Sequence, residues 1–222
     1  MKVTIIGGHG KVALLAAPLL VQAGHEVQSL IRNPDHAEEV NATGASAVVF
    51  SIEEATTPQI AEILEGQDAV VWSAGAGGGD PERTYAVDRD AAIRSMNAAV
   101  DAKVSRYIMV SFSRASTEYL VNQDDSFYPY MVSKIAADDH LRASDLDWTV
   151  LGPGALTLDA PTDRVDPNYV GESDSQSSRA NVALAILHAL EEPKTIGHTL
   201  NFRDGETPMT EWFAGLTPDA QE

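Results

Sequence analysis

The chain has no cysteine among its 222 residues. Disulfides, thiolate metal sites and cysteine nucleophiles are therefore excluded. Its six histidines are scattered without the spacing of a ligand set. Adjacent carboxylates such as Asp138 and Asp139 are the pattern of a solvated helix face. We expect no metal site.

Basic residues are also scarce, with 15 Lys and Arg against 33 Asp and Glu and a net charge of −18. Such a surface repels phosphate backbones and anionic lipids, which argues against nucleic-acid and membrane binding. No apolar run approaches the roughly 18 residues of a membrane span. Glycines and His9 interrupt the apolar start of the chain, and no cleavage-like site follows. We expect a cytoplasmic protein with a small-molecule substrate.

Residues 3–13 combine a β-prone run, a glycine turn and the start of a helical pattern. Gly7, Gly10 and Ala13 give the spacing G-x-x-G-x-x-A. A buried strand that ends in such a turn brings a pyrophosphate against a helix N-terminus. The alternative is an ordinary strand-to-helix turn. The residues predicted to contact the nucleotide here are Gly7, His9, Gly10, Lys11 and Val12.

Strand and helix patterns alternate along the chain with short connections, as in parallel sheets covered on both faces. We predict a Rossmann-like, doubly wound α/β fold of three layers in a single domain over residues 1–222. Residues 83–102 are predicted to form one long amphipathic helix. The polar residues 155–178 are predicted to be loop. Residues from about 153 to 222 are expected to form a small C-terminal cap on the substrate side.

Cofactor preference can be inferred from the end of the second strand. Proteins that bind NAD usually carry an acidic residue there, whereas this chain has Arg32 and Asn33. The guanidinium of Arg32 suits a 2′-phosphate, and Lys11 offers a second positive charge. NADP(H) is therefore favoured over NAD, unless Arg32 only lies in a solvated loop.

Other candidate cofactor contacts follow the later strands, because ligands of open α/β sheets lie beyond the carboxyl ends of the strands. One group follows the third strand and faces the adenine, a second follows the fourth strand and faces ribose and phosphate, and a third follows the sixth strand and closes over the nicotinamide. These groups are Ser51 and Ile52; Ser73, Ala74 and Gly75; and Pro153, Gly154 and Ala155. Glycines 77–79 either continue the second group or form a solvent loop.

Three residues are candidates for catalysis. Ser111 ends the fifth strand, and Tyr130 and Lys134 are four residues apart in a helical pattern, hence on one face. A nearby ammonium and a positive cofactor ring would lower the pKa of the Tyr130 phenol and let it exchange a proton with a carbonyl or alcohol. Lys134 could also bind the nicotinamide ribose. Tyr128 is the alternative to Tyr130.

Together these motifs resemble the atypical short-chain dehydrogenase/reductase superfamily, in particular its NmrA-like and biliverdin reductase B/flavin reductase group. The resemblance covers nearly the whole chain. It implies bound NADP(H) and hydride transfer to a small organic acceptor such as a quinone, flavin or carbonyl, with Ser111 and the Tyr–Lys pair facing the nicotinamide. It also allows an NADP(H)-binding redox sensor without turnover, which would act through a protein partner.

One departure from that family follows the sixth strand, where Arg-Pro-Gly is common and this chain has Gly152, Pro153 and Gly154. Residues 112–129 and 155–178, expected to shape the substrate pocket, match no known pattern, so the substrate stays open. A sugar-nucleotide epimerase is disfavoured because the C-terminal part is small.

Overall fold

The structure is a computed structural model that describes residues 1–77, 79–169 and 175–217. The strands are β1 Lys2–Ile6, β2 Glu26–Ile31, β3 Ser46–Val49, β4 Ala69–Trp72, β5 Arg106–Val110, β6 Asp147–Pro153, β7 Ala155–Thr157, β8 Arg164–Pro167, β9 Gln176–Ser178, β10 His198–Asp204 and β11 Thr207–Pro208. The α-helices are α1 Ala13–Gln22, α2 Ala37–Ala42, α3 Thr57–Leu64, α4 Pro81–Thr84, α5 Ala92–Asp101, α6 Tyr128–Arg142, α7 Arg179–Glu191 and α8 Met209–Ala214.

Within those residues, nine strands form one sheet in the order β11-β8-β10-β6-β5-β4-β1-β2-β3. The seven strands from β10 to β3 are mutually parallel, and β8 and β11 add an antiparallel edge. The strand order reverses between β1 and β4, so a crevice opens at the carboxyl ends of these two neighbours. β7 and β9 pair with each other in a small separate sheet.

Both faces of the sheet are covered, because successive side chains of a strand point to opposite sides. On one face, Ile5 packs with Leu20 of α1 and Ile186 of α7. On the other face, Ile6 packs with Ile60 of α3 and Met96 of α5. The predicted Rossmann-like, three-layer arrangement is confirmed.

The C-terminal third corrects one prediction. Residues 155–178 are not simply loop, because β7, β8 and β9 lie among them. β8 joins the main sheet by pairing with β10, a tertiary partnership that polar composition does not reveal. In the C-terminal segment, β8, β10 and β11 extend the sheet and α7 packs on α1. Residues 170–174 of the predicted loop and residues 218–222 of the C-terminal segment lie outside the described residues.

The long helix predicted over residues 83–102 is present from Pro81 to Asp101, with an irregularity. Residues Tyr85–Ala91 between α4 and α5 form a π-helical segment. Such wide turns are rare and occur frequently at functional sites. Asp88 lies in this segment with 2% of its surface exposed, and its Oδ2 accepts a hydrogen bond from the Ala76 backbone N–H at 2.9 Å.

Candidate functional site

A cleft of about 280 Å³ opens at the carboxyl ends of β1, β2 and β4, where the strand order reverses. We call it the switch-point cleft. It brings together most of the residues predicted to hold a nucleotide: Gly7, His9, Gly10, Arg32, Asn33, Ile52, Ser73, Ala74 and Gly75. Lys11 is exposed and Val12 is buried in the core, and both lie outside the lining formed by the described residues, as does Ser51.

The glycine turn is required by the packing of the protein itself. Gly7 has φ +86°, and a Cβ there would lie 2.6 Å from the Ala74 backbone. A Cβ on Gly8 would lie 2.4 Å from the Ser29 Cβ. The Gly10 backbone N–H donates to the Gly7 carbonyl at 2.8 Å, which tightens the turn. The turn therefore presents a bare backbone to the cleft for a reason that is independent of any ligand.

A charged rim stands at one end of the cleft. Arg32 Nη1 and Arg83 Nε each lie 3.3 Å from Oε2 of the same carboxylate, Glu53. Arg94 holds the loop that carries Glu53, through hydrogen bonds to the carbonyl oxygens of Glu53 at 2.9 Å and Ala55 at 3.0 Å. Arg83, Glu53 and Arg94 were missed from the sequence because they come from elements distant along the chain.

Two histidines stack on this side of the cleft. The rings of His9 and His36 are 3.5 Å apart between centroids, and His9 Nε2 lies 2.7 Å from Glu39 Oε2. His36 was not predicted, and only the turn after β2 brings it beside the glycine turn. Imidazole and carboxylate together fix the orientation of His9 at the mouth of the cleft.

A second cavity of about 420 Å³ lies beyond β5 and β6, and we call it the aromatic pocket. The rings of Phe112, Phe127 and Tyr130 contact one another, with centroids 5.1–5.9 Å apart. The predicted residues in its lining are Ser111, Tyr130, Pro153, Gly154 and Ala155. Segments 112–129 and 155–178 both contribute to this lining.

A third cavity adjoins both of these along the edge of the sheet. It has a volume of about 750 Å³ and shares Gly75 with the switch-point cleft, and Phe127 and Tyr130 with the aromatic pocket. Gly77 and Gly79 line this connecting cavity, whereas Gly78 lies outside the described residues. We call the row of three adjoining cavities, from the arginine rim to Ser111, the groove.

Tyr130 and Lys134 do not meet in the way their spacing suggests. Lys134 is only 2% exposed, and its Nζ donates to the Val110 carbonyl at 2.9 Å. Tyr130 lines both the aromatic pocket and the connecting cavity, whereas Tyr128 is absent from the lining that the described residues form. Burial and the nearby Asp88 and Asp138 raise the pKa of Tyr130 in the protein. The expectation of a lowered pKa is therefore wrong for the protein by itself.

Asp138 is not the solvated residue that its sequence suggests. It is 0% exposed, and Ser111 Oγ donates to its Oδ2 at 2.5 Å. Its neighbour Asp139 does face solvent, in an ion pair with Arg142 at 2.8 Å. The sequence signal that could have separated them is the i, i+4 spacing of Lys134 and Asp138, which places both on the buried face of α6.

The glycines after β6 have packing explanations of their own. A Cβ on Gly154 would lie 2.5 Å from the Ser175 carbonyl oxygen. A side chain at Gly152 would begin 2.1 Å from Asn201 Oδ1, so Asn201 occupies the space in which the arginine of the related motif would start.

Comparison with known proteins decides the family. A model of an NAD(P)H-binding family matches residues 7–193. The chain belongs to this NAD(P)H-binding family. It is 32% identical to the uncharacterized sugar epimerase YhfK of Bacillus subtilis, over 95% of this chain and 98% of that protein.

Two solved structures share the fold of this family member. A Bacillus halodurans protein named provisionally as an NAD-dependent epimerase/dehydratase superposes with TM-score 0.88 at 30% identity, covering 97% of this chain and 100% of that one. A short-chain dehydrogenase/reductase of Veillonella parvula in complex with NADP gives TM-score 0.71 at 19% identity, over 93% and 96% of the two chains. The membership of an NAD(P)H-binding family and the nicotinamide cofactor class expected from the sequence are confirmed by the family match.

None of the helices in the described part of the chain has the length and apolar character needed to span a bilayer.

Proposed function

We propose that the protein is an NADP(H)-dependent oxidoreductase that reduces a small organic acceptor such as a quinone, flavin or carbonyl, in the cytoplasm. The observation that carries this proposal is the groove of three adjoining cavities, which has two arginines at one end and Ser111 with Tyr130 at the other. NADP(H) is elongated, with a 2′-phosphate at its adenosine end, a pyrophosphate in the middle and the reactive nicotinamide ring at the other end, and the groove has that polarity.

The residues in the switch-point cleft fit such a cofactor. The exposed backbone of Gly7 and Gly10 before α1 suits a pyrophosphate. Arg32 and Arg83 converge on Glu53, and a 2′-phosphate could take the place of that carboxylate between them. The choice of NADP(H) over NAD(H) rests on these two arginines, with Asn33 and Ile52 beside them.

The remaining predicted residues act in the aromatic pocket. Bound NADPH supplies a hydride to the acceptor. Phe112, Phe127 and Tyr130 would hold a planar acceptor by ring contacts and exclude water from it. Ser111 would donate a hydrogen bond to the acceptor heteroatom, and Lys134, by holding the Val110 carbonyl, fixes the end of β5 from which Ser111 projects.

Fluorescence titration with NADPH and NADH tests the cofactor assignment. Loss of one charge-assisted contact costs about 1.5–3 kcal/mol, so Arg32→Ala and Arg83→Ala should each weaken NADPH binding roughly tenfold or more and leave NADH binding nearly unchanged. Arg164→Ala, on β8 in the half of the sheet away from the switch-point cleft, is the matched control. Absence of binding by either nucleotide would overturn the proposal.

A redox sensor without turnover is the second candidate, and one observation favours it. The Tyr130 phenol has a raised pKa, and Lys134 is bonded elsewhere. A panel of quinones, flavins and aldehydes with NADPH separates the candidates. Turnover that is lost in Tyr130→Phe supports an acid–base role for Tyr130. If turnover persists in Tyr130→Phe, the reaction is explained by the proximity of the cofactor to the acceptor and by Ser111. Tight binding with no turnover supports the sensor.

A further inference from the structure

We propose that Asp138 is a proton-positioning residue, which holds a proton behind Ser111, passes it through Ser111 toward the acceptor, and is resupplied from a second, polar cavity. The inference rests on the proposed oxidoreductase function and extends it to a residue outside the pocket where the acceptor would bind.

The first observation is the contact between Ser111 and Asp138. Ser111 is 5% exposed and lines the aromatic pocket, and its Oγ lies 2.5 Å from Asp138 Oδ2. The second oxygen, Asp138 Oδ1, is buried and has no hydrogen-bond partner among the described residues. Buried polar atoms without partners are rare and require an explanation. An oxygen without a donor does not stabilise a negative charge, so the unpartnered Oδ1 favours the neutral carboxyl group.

The second observation is the balance of charge around Lys134. Asp88, Lys134 and Asp138 are each at most 2% exposed, so two carboxyl groups and one ammonium share a buried region. With all three ionised the group would carry a net negative charge, and burying an uncompensated charge is costly. One additional proton makes the group neutral. The pKa of Asp88 and that of Asp138 are both raised by burial, consistent with a proton held on one of them.

The contacts assign that proton to Asp138. Asp88 accepts the Ala76 backbone N–H at 2.9 Å and has Arg83 nearby, and both favour the ionised carboxylate. Asp138 accepts only the Ser111 hydroxyl, and it is completely buried. The charges that act on Asp138 besides Lys134 are Arg142 and Asp139, which form an ion pair with each other.

The third observation is a polar cavity beside Asp138. This cavity of about 270 Å³ shares Phe112 and Ser113 with the aromatic pocket, and Asp138 contributes to its lining together with Ser116, Glu118, Arg142 and Asn201. Polar side chains of this kind suit water molecules. Asp138 thus stands between a polar cavity and Ser111, while Ser111 stands between Asp138 and the aromatic pocket.

These contacts define a balanced step. The acceptor gains two electrons and one hydrogen as hydride from the reduced nicotinamide, which is oxidised. With an acceptor bound, the Ser111 hydroxyl points to its heteroatom and the proton of Asp138 lies on Oδ2, 2.5 Å from Ser111 Oγ. The acceptor heteroatom takes the hydroxyl proton as the Asp138 proton moves from Oδ2 to Ser111 Oγ, so one O–H bond forms at Ser111 as the other breaks. Asp138, left as a carboxylate, takes up a proton from solvent through water in the polar cavity.

Infrared difference spectroscopy at neutral pH tests whether Asp138 holds the proton, without any need for turnover. Wild type minus Asp138→Asn should show the C=O band of a protonated carboxyl group, and wild type minus Asp139→Asn should not. Ser111→Ala leaves Asp138 in place and should shift the frequency of that band. Absence of the band in wild type, or a band unaffected by Ser111→Ala, would overturn the inference.

Kinetics test whether the proton is delivered. Asp138→Asn should lower kcat by about 10²-fold with little change in KM, and it should remove the fall in wild-type kcat that accompanies deprotonation of Asp138 at higher pH. Asp139→Asn should match wild type. Equal kcat and pH profile in Asp138→Asn and wild type would contradict delivery. If wild type binds NADPH but reduces no acceptor, the proposed turnover fails, while the infrared band still decides where the proton is held.

Discussion

The buried ionisable groups at the two ends of β5 differ in how completely their polar atoms are hydrogen-bonded. At its amino end, Arg106 is 7% exposed and donates to the carbonyl oxygens of Asp147 and Ala189, both at 2.6 Å, and to Thr195 Oγ1 at 2.9 Å. Burial lowers the pKa of Arg106 to about 10, still high enough to keep it charged at neutral pH. Just past the carboxyl end, Ser111 meets Asp138, which has one oxygen unpartnered.

This difference separates structural from functional polarity. A buried cation that is bonded to fixed carbonyl and hydroxyl oxygens contributes to stability and keeps its charge at neutral pH. A carboxyl group with an unused oxygen contributes less to stability but can change its protonation state. The loops that carry ligands lie at the carboxyl ends of the strands, so the unsatisfied cluster lies where it can act.

Removal of Arg106 should have the largest effect on stability. Arg106→Met removes the guanidinium donor from the Asp147 and Ala189 carbonyl oxygens and from Thr195 Oγ1, and we expect the free energy of unfolding to fall by about 3 kcal/mol. Denaturant unfolding measures this, with Arg164→Met, whose guanidinium donates to the Glu206 carbonyl at an exposed site, as the control. If the free energy of unfolding falls equally little in both variants, the contacts of Arg106 at the amino end of β5 do not stabilise the fold.

The backbone offers a similar contrast between the carboxyl end of β1 and the turn before β2. Gly7 and Gly24 have nearly equal φ, +86° and +88°, but a Cβ would meet the Ala74 backbone at Gly7 and nothing within 4 Å at Gly24. Gly24→Ala should cost about 1 kcal/mol from its positive φ, and Gly7→Ala about 2 kcal/mol more from the collision. Equal losses of unfolding free energy would show that the close approach has no effect.

The pH dependence of the free energy of unfolding tests whether Asp138, beside the carboxyl end of β5, is protonated in the folded state. The pKa of Asp138 is raised by burial, so the folded state binds a proton that the unfolded state releases above a pKa near 3.9. The free energy of unfolding attributable to Asp138 therefore falls as pH rises, by at most about 1.4 kcal/mol per pH unit, until pH passes the folded-state pKa. Asp138→Asn should lose this slope, whereas Asp139→Asn should keep it. The comparison is made by denaturant unfolding at a series of pH values.

The smallest effect is expected at the exposed rim of the switch-point cleft. Glu53→Gln removes the carboxylate that occupies Arg32 and Arg83, so NADPH affinity should rise about two- to fivefold, the range of exposed ion pairs. NADH affinity should stay the same, because it brings no 2′-phosphate. A fall in NADPH affinity would show that Glu53 orients the arginines instead of competing for them.

The sequence alone determined the layers of the fold and the first half of the groove. Residues 3–13 predicted β1, the glycine turn and α1 because strand, turn and helix there are contiguous and locally specified. Arg32 and residues 73–75 were predicted to line the ligand site because parallel strands bring their carboxyl ends to one edge, and all of them line the cleft.

Only the tertiary structure decided which polar residues are buried and what they contact. Asp138 and Asp139 are identical in sequence terms, yet a rotation of about 100° around α6 makes one a buried partner of Ser111 and the other a surface ion pair with Arg142. Arg83 reaches Glu53, and β8 pairs with β10, through contacts between segments distant in the chain. Burial and pairing arise from packing of whole elements, and no local pattern of residues encodes them.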